Sequence, residues 1–237
     1  MPLKKATGNM YDWITHMHTH LGGECPHKCK YCYIGMNRFG RHQRYKGPIK
    51  LLENEINVRY GTGKSIFIEH MNDMFSTGVE DWMIEAILNH CNQYRQNKYI
   101  IQTRNTLRAF EFRKLFPRGT TIGTTIESNR MYPTLTNAPS PNLRLEGMNK
   151  FRDTRIKTFV TIEPILDFDI PIFSHWLIFL DPDFVNIGAD SKSCGLPEPS
   201  KEKVLEFILT LDRAGVTIKE KNNLQRIYNV SSPTSVT

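Results

Sequence analysis

Short apolar, β-branched runs recur along this chain, each followed by a segment of helical character. SIFI at 65–68, YIIQTR at 99–104, TTIGTTIE at 120–127, TFVTIEP at 158–164 and FVNIG at 184–188 form the series. A first strand at 10–21 precedes them, and VTIK at 216–219 is a candidate last one. Helices are predicted over 48–60, 79–97, 107–116, 149–155, 172–180 and 201–214, with a long Pro- and Asn-rich loop at 132–142. Strands and helices alternating in this way define an α/β architecture with parallel strands. A complete eight-unit barrel would be cramped in 237 residues, whereas an open six-unit one, a (βα)6 partial TIM barrel, fits. We read the chain as a single domain over 1–237, with its core at 10–222 and a C-terminal tail at 223–237. No apolar run approaches the ~18 residues of a membrane span. The lysines near the N-terminus are not followed by an apolar stretch of secretory type. The expectation is a soluble protein of a reducing, cytoplasmic compartment, with no membrane partner.

The first strand, MYDWITHMHTHL at 10–21, alternates with a two-residue period. His16, His18 and His20 share one face and Thr15, Met17 and Thr19 the other. The expectation is that the imidazoles point into the barrel, where one or more would contact substrate or carry a proton as catalytic groups. A mononuclear metal site is the rival use of the same face, and a hydrogen-bonded polar interior is the plain one.

That strand runs into Cys25-Pro26-His27-Lys28-Cys29-Lys30-Tyr31-Cys32, which places three cysteines within one loop. A [4Fe–4S] cube takes four ligands, so three thiolates leave one iron open to an exchangeable ligand. Zinc is the competing metal, since Cys and His at short spacing also build structural zinc sites. The usual second ligand pair is missing here, because Cys91 and Cys194 stand alone and far away. Cys91 falls at helical spacing with Trp82, Ile84, Ile87 and Leu88 and reads as a core thiol. Five cysteines in a chain of this size do not make a disulfide framework.

The formal net charge is +7, and one segment carries the whole excess. Between residues 25 and 52 stand Lys28, Lys30, Arg38, Arg41, Arg44, Lys46 and Lys50, with no Asp or Glu. Tyr31, Tyr33, Phe39 and Tyr45 are interleaved with them. Cations mixed with aromatics suit phosphate contacts and base stacking, which points to a nucleic acid or nucleotide-like substrate. The alternative is a solvated basic loop that steadies an anionic cluster.

CPHKCKYCY, with an aromatic residue before the last Cys, resembles the signature of the radical S-adenosylmethionine (SAM) superfamily. The order CPHKCKYCY, IFIEHMNDMF, IQTRN, TTIGTTIESN, VTIEPIL and VNIGAD is similar to a compact, phage-associated branch laid out like the spore photoproduct lyase-like enzymes. The resemblance covers roughly residues 11–222. It implies a cluster held at the strand C-termini by Cys25, Cys29 and Cys32, with SAM on the open iron and Tyr31 against its adenine. Glu69, His70, Asn72 and Asp73, at the end of the second strand, stand where the superfamily binds the SAM amino group. Gln102, Arg104, Thr125, Glu127, Asn129 and Glu163 would line the ribose, carboxylate or substrate side. Asn186, Gly188 and Asp190 would approach adenine or substrate. The superfamily's Gly-Gly-Glu motif lies at the end of the second strand, so Gly22-Gly23-Glu24, ahead of the cysteines, reads only as a turn. The implied chemistry is reductive SAM cleavage to a 5′-deoxyadenosyl radical that abstracts hydrogen from substrate. An electron donor of the flavodoxin or ferredoxin kind would serve it. If the substrate is a base in a duplex, the base must be flipped out or presented single-stranded. No second cluster is indicated. Two other classes compete: a zinc hydrolase or lyase using His16, His18 and His20 with Glu69 or Asp190, and a noncatalytic zinc-stapled nucleic-acid-binding protein.

Overall fold

The structure, a computed structural model, describes residues 3–7, 10–36 and 43–229. Its frame is one eight-stranded sheet. β1 (Lys4–Lys5) pairs antiparallel with β2 (His16–His18). β2 then runs parallel to β5 (Ser65–Ile68), followed by β6 (Lys98–Gln102), β7 (Thr120–Thr125), β8 (Lys157–Ile162), β9 (Phe184–Ile187) and β10 (Ile218–Glu220). The sheet order begins at β1 and ends at β10, so the barrel is open. The expected six parallel strands are present, and the candidate last strand adds a seventh. A separate ribbon of β3 (Leu21–Gly22) and β4 (Lys50–Leu51) stands beside the end of β2. Among the described residues, no helix is long and apolar enough to cross a membrane.

Strand alternation divides the apolar residues between the two faces of the sheet. Ile66, Ile68, Tyr99, Ile101, Ile122, Val160, Ile162, Val185 and Ile187 face the helices and join the large core. Phe67, Ile100 and Phe159 face the interior, where Ile14, Tyr11 and Trp13 close over them. Phe159 stacks on Phe184 with ring centroids 5.2 Å apart and lies over Gly123, where any Cβ would overlap its ring. An aromatic plug thus fills the end of the barrel at which the strands begin, leaving polar side chains toward the other end.

Among the helices, α3 (Asp81–Asn92) buries Met83, Ile84, Ile87, Leu88 and Cys91, which confirms Cys91 as a core thiol. Helix α7 (Lys201–Arg213) buries Val204, Phe207 and Leu211 at the spacing of one helical face, and Ser200 caps its N-terminus by accepting from the Lys203 amide. Between them, α4 (Thr106–Glu111) follows β6 and α6 (Ile170–Leu180) follows β8.

Four expectations are corrected. The helix expected over 48–60 reduces to the single turn α2 (Glu53–Ile56), because Lys50 and Leu51 pair with the strand before the cysteines and Glu55 is drawn inward by Arg44. The helix expected over 149–155 lies earlier, as α5 (Pro141–Asn149). It starts at Ser140, whose side chain accepts from the Leu143 amide, with Pro141 in the first turn. The tail expected from 223 is in part packed: Leu224 and Ile227, the latter in α8 (Gln225–Tyr228), are buried. Residues 230–237 lie outside the described residues.

The fourth correction concerns the histidine face. In register, Met17 lies beside the interior residue Phe67, while His16 and His18 lie beside Ile66 and Ile68 on the helix side. The three imidazoles therefore turn away from the barrel interior. Alternation groups side chains on one face, but the packing of neighbouring strands decides which face is inside.

Candidate functional site

The strands end on a common rim, and the cysteine loop is folded over it. Gly23 enters the loop at φ +86°, where a Cβ would overlap the Pro48 carbonyl. Glu24 and Lys28 form an ion pair, and Lys28 takes a left-handed conformation at φ 47°. Cys32 N donates to Cys29 O at 3.0 Å, closing the turn that carries the last two thiols. None of the five cysteines is in a disulfide, and Cys25, Cys29 and Cys32 are partly exposed. Burial pushes the Cys25 thiol up to about 12, and Asp73 and the other two cysteines push the same way. A bound metal would reverse that cost, because a coordinating thiol gives up its proton.

Among the described residues, no group of three or more His, Cys, Asp or Glu converges on a single ion. A cube distributes its thiolates over separate irons, so its ligands need not meet at a point. The donor set suits such a cluster: three thiols on one loop, backed by the buried His27.

Asp73 fastens that loop to the rim. Its carboxylate accepts from Phe75 N at 3.0 Å, Thr103 Oγ1 at 2.7 Å and Arg104 N at 2.8 Å, and it bonds His27 Nε2 at 2.9 Å. With four partners it is an anchor between the cysteine loop and the ends of β5 and β6. Asn72 likewise reaches Gly23 O at 3.3 Å.

Glu127, buried just beyond β7, collects a second set. Arg144 donates to its Oε2 at 2.7 Å, and Arg104 and the Tyr31 hydroxyl both donate to Oε1. The two guanidiniums overcome its burial and lower its titration to about 2. The Arg104 guanidinium also lies 5.5 Å from the centroid of the Tyr31 ring. Tyr31, Glu127 and Arg144 line a cavity of about 150 Å³, together with Tyr132, Thr136 and Leu166. The Pro- and Asn-rich loop at 132–142 forms its far wall and is stitched to the cysteine loop: Lys30 N donates to Leu135 O at 2.9 Å and Asn137 N to His27 O at 2.7 Å.

Below the rim lies a hydrogen-bonded polar network. Tyr11 donates its hydroxyl proton to Gln102 Oε1 at 2.9 Å, its oxygen is 2.7 Å from Thr161 Oγ1, and Gln102 Nε2 donates to Thr125 Oγ1 at 2.8 Å. Asn186 reaches Thr161 Oγ1 at 3.3 Å. On the open side, Glu163 bonds Lys221 at 2.7 Å and Asn223 at 2.8 Å, beside Gly188, and Lys221 lies 5.0 Å from the Tyr11 ring centroid. Gln102, Thr125 and Asn186 thus share one network with Tyr11 and Thr161, while Glu163 lies against Gly188 in a second.

Other expected residues lie elsewhere. Asn129 bonds Asp169 beyond the cavity rim. Asp190 accepts from Lys192 N and Cys194 N and so shapes its own loop. Glu69, at φ 60°, accepts from His20 N at 2.7 Å and Leu21 N at 3.3 Å and contacts His20 Nδ1 at 2.6 Å. Burial pushes its titration up to about 7. His20 also meets His90 and the Tyr60 hydroxyl, and burial lowers its titration well below the ordinary range. His18 lies 3.2 Å from Glu55 O, and burial lowers it to about 4. His70 bonds Thr19 and is likewise lowered to about 4 by burial. His16 lies at the opposite end of the strand, where its titration is lowered by burial and by Lys64 and Lys5. The cavity touching His18 and His70 measures about 30 Å³, on the order of one water.

Of the basic segment, Lys28 pairs with Glu24, and Arg44 is committed to Glu55 and Thr19 O. Arg38, Phe39 and Arg41 lie outside the described residues. Sequence reasoning passed over Tyr11, Thr136, Arg144 and Lys221. Thr161 could have been found, since it shares an alternation face with Phe159; nothing local marks Thr136.

No family profile and no curated protein matches the chain. Solved structures do share its fold. A cysteine-to-serine mutant of spore photoproduct lyase superposes with a TM-score of 0.62 at 11% identity, covering 90% of this chain and 79% of that one. A doubly substituted spore photoproduct lyase with bound AdoMet and dinucleoside spore photoproduct gives a TM-score of 0.55 at 11% identity, over 90% of this chain and 66% of that one. Streptococcus suis SuiB bound to precursor peptide SuiA gives 0.62 at 13% identity, over 90% of this chain and 50% of that one. The open parallel barrel is the fold they have in common with this chain.

Proposed function

We propose that this chain is a radical SAM enzyme in which Cys25, Cys29 and Cys32 hold a [4Fe–4S] cluster with one iron left for SAM. The observation that carries the reading is the placement of three partly exposed thiols on one loop at the rim of an open parallel barrel. Rims formed by strand C-termini are where such barrels keep their chemistry. A structure of the same fold binds AdoMet. Bound there, cluster and SAM would supply a 5′-deoxyadenosyl radical for hydrogen abstraction.

The chain's own residues hold, orient and enclose. Asp73 and His27 fix the cysteine loop, and Glu127 with its two arginines fixes Tyr31 at the cavity wall. The network of Tyr11, Gln102, Thr161 and Asn186 carries hydroxyl and amide groups, the chemistry that reads the edge of a neutral heterocycle. A nucleotide or base is therefore the substrate class we favour, in line with the dinucleoside bound by spore photoproduct lyase. A flavodoxin- or ferredoxin-like protein would deliver the electron. His16, His18 and His20, turned to the helix side, serve the framework in this reading.

The test uses anaerobically purified protein reconstituted with iron and sulfide. Expected are a reducible cluster whose EPR signal changes on addition of SAM, and 5′-deoxyadenosine released only when the cluster is present. Both should be absent in Cys32→Ala. A protein that takes up one zinc and no cluster would remove this reading.

A further inference from the structure

The Thr136 hydroxyl sits 3.2 Å from Cys29 Sγ, although 107 residues separate the two in sequence. Four other hydrogen bonds fix it there. Its oxygen accepts from Ala138 N at 3.1 Å, its proton reaches His27 O at 3.1 Å, and its neighbours Leu135 and Asn137 are bonded to the cysteine loop by backbone hydrogen bonds.

A hydroxyl has one proton to give. When Cys29 is a thiol, the S–H can donate to Thr136 Oγ1 while the threonine proton goes to the His27 carbonyl. An iron-bound thiolate has no proton and can only accept. The threonine proton then has two acceptors at nearly equal distance, of which one carries negative charge. Moving to sulfur leaves no carbonyl stranded, because Asn137 N continues to donate to His27 O at 2.7 Å. Hydrogen bonds to an ionised acceptor are the stronger ones.

We propose that Thr136 is a positioning residue for the cluster, donating to the Cys29 sulfur and thereby setting the reduction potential. This rests on the reading of Cys25, Cys29 and Cys32 as cluster ligands. Reduction adds negative charge to the cube and its sulfurs, so a donor at Cys29 stabilises the reduced state more than the oxidised one and raises the potential. It also explains why the loop around Thr136 is sewn to the cysteine loop by its backbone: a single hydroxyl tunes a ligand only if its distance is held.

The experiment is a redox titration of the reconstituted full chain followed by EPR, in wild type, Thr136→Val, Thr136→Ala and Thr136→Ser, each normalised to iron and sulfide content. Thr136→Val and Thr136→Ala should lower the equilibrium constant for reduction about tenfold, about 59 mV for a one-electron couple. Thr136→Ser, which keeps the hydroxyl, should return the wild-type value. After exchange into deuterated buffer, the wild-type cluster should show an exchangeable deuteron that Thr136→Ala lacks. Equal potentials in wild type and both hydroxyl-free variants at full cluster content would overturn the proposal while leaving the cluster assignment intact. A wild type that takes up no cluster would overturn both.

Discussion

Replacing Glu127 by Gln tests how the rim is held together. The side chain is 4% exposed, and its carboxylate receives Arg104, Arg144 and Tyr31. Its titration falls from an ordinary 4.5 to about 2, against a burial that alone would raise it. A difference of that size between folded and unfolded chains corresponds to about 3 kcal/mol of stability. The independent expectation for removing one partner of a buried ion pair is roughly 3–5 kcal/mol, because the other partner is left uncompensated. Here two guanidiniums would be left. The folded-state value is depressed, so the contribution is complete above the unfolded value near 4.5 and is lost as pH falls toward about 2. Urea unfolding of wild type and Glu127→Gln, from neutral pH downward, should therefore show a gap of about 3 kcal/mol that closes on acidification. The melting temperature at neutral pH should drop by roughly 6–12 °C. A gap below about 1 kcal/mol, no larger than one ordinary hydrogen bond, would refute the account. So would a gap that keeps its size through the acid range.

Three further outcomes are expected. Gly147→Ala should destabilise by about 2 kcal/mol or more, measured by thermal unfolding, because the added methyl would overlap Thr106 Oγ1 and the Leu107 amide where α5 meets α4. Tyr11→Phe should cost about 1–2 kcal/mol in denaturant unfolding, since it removes a partly buried hydroxyl that bridges Gln102 and Thr161. His20→Leu should lower the melting temperature, leaving Glu69, Tyr60 and His90 short of a partner, while 5′-deoxyadenosine formed per intact cluster stays near the wild-type rate. A loss of turnover without loss of stability would return His20 to the catalytic set.

The strand series was readable because each strand is apolar over a few residues and bounded by breakers. Local pattern suffices where the burial of a segment is nearly complete, as at Ile66 to Ile68 and at Val160 and Ile162. The open barrel followed from length. The cysteine spacing marked a three-thiol loop without help from the fold, because cysteines within eight residues share one loop whatever the rest does. The helix at Pro141–Asn149 had its Ser-Pro start written in the sequence, yet the surrounding prolines and asparagines made it look like loop.

Polar residues at strand ends were legible as a set but not by role. Gln102, Asn186 and Glu163 bond other side chains, whereas Asp73, Glu69 and Asp190 spend oxygens on backbone amides. A carboxylate that binds a ligand and one that caps a turn look the same in a sequence. Only the position of distant amides separates them. The histidine strand makes the point most sharply. Its two-residue period determined that His16, His18 and His20 stand together, since side chains alternate along any strand. Which side is inward was decided by the register of Met17 against Phe67 and by the aromatic plug behind it. Local pattern and chain length were enough for an open parallel α/β barrel carrying a three-thiol loop. The pairing of polar groups below the rim and the approach of Thr136 to Cys29 needed the folded chain, because both depend on contacts between segments that no local pattern encodes.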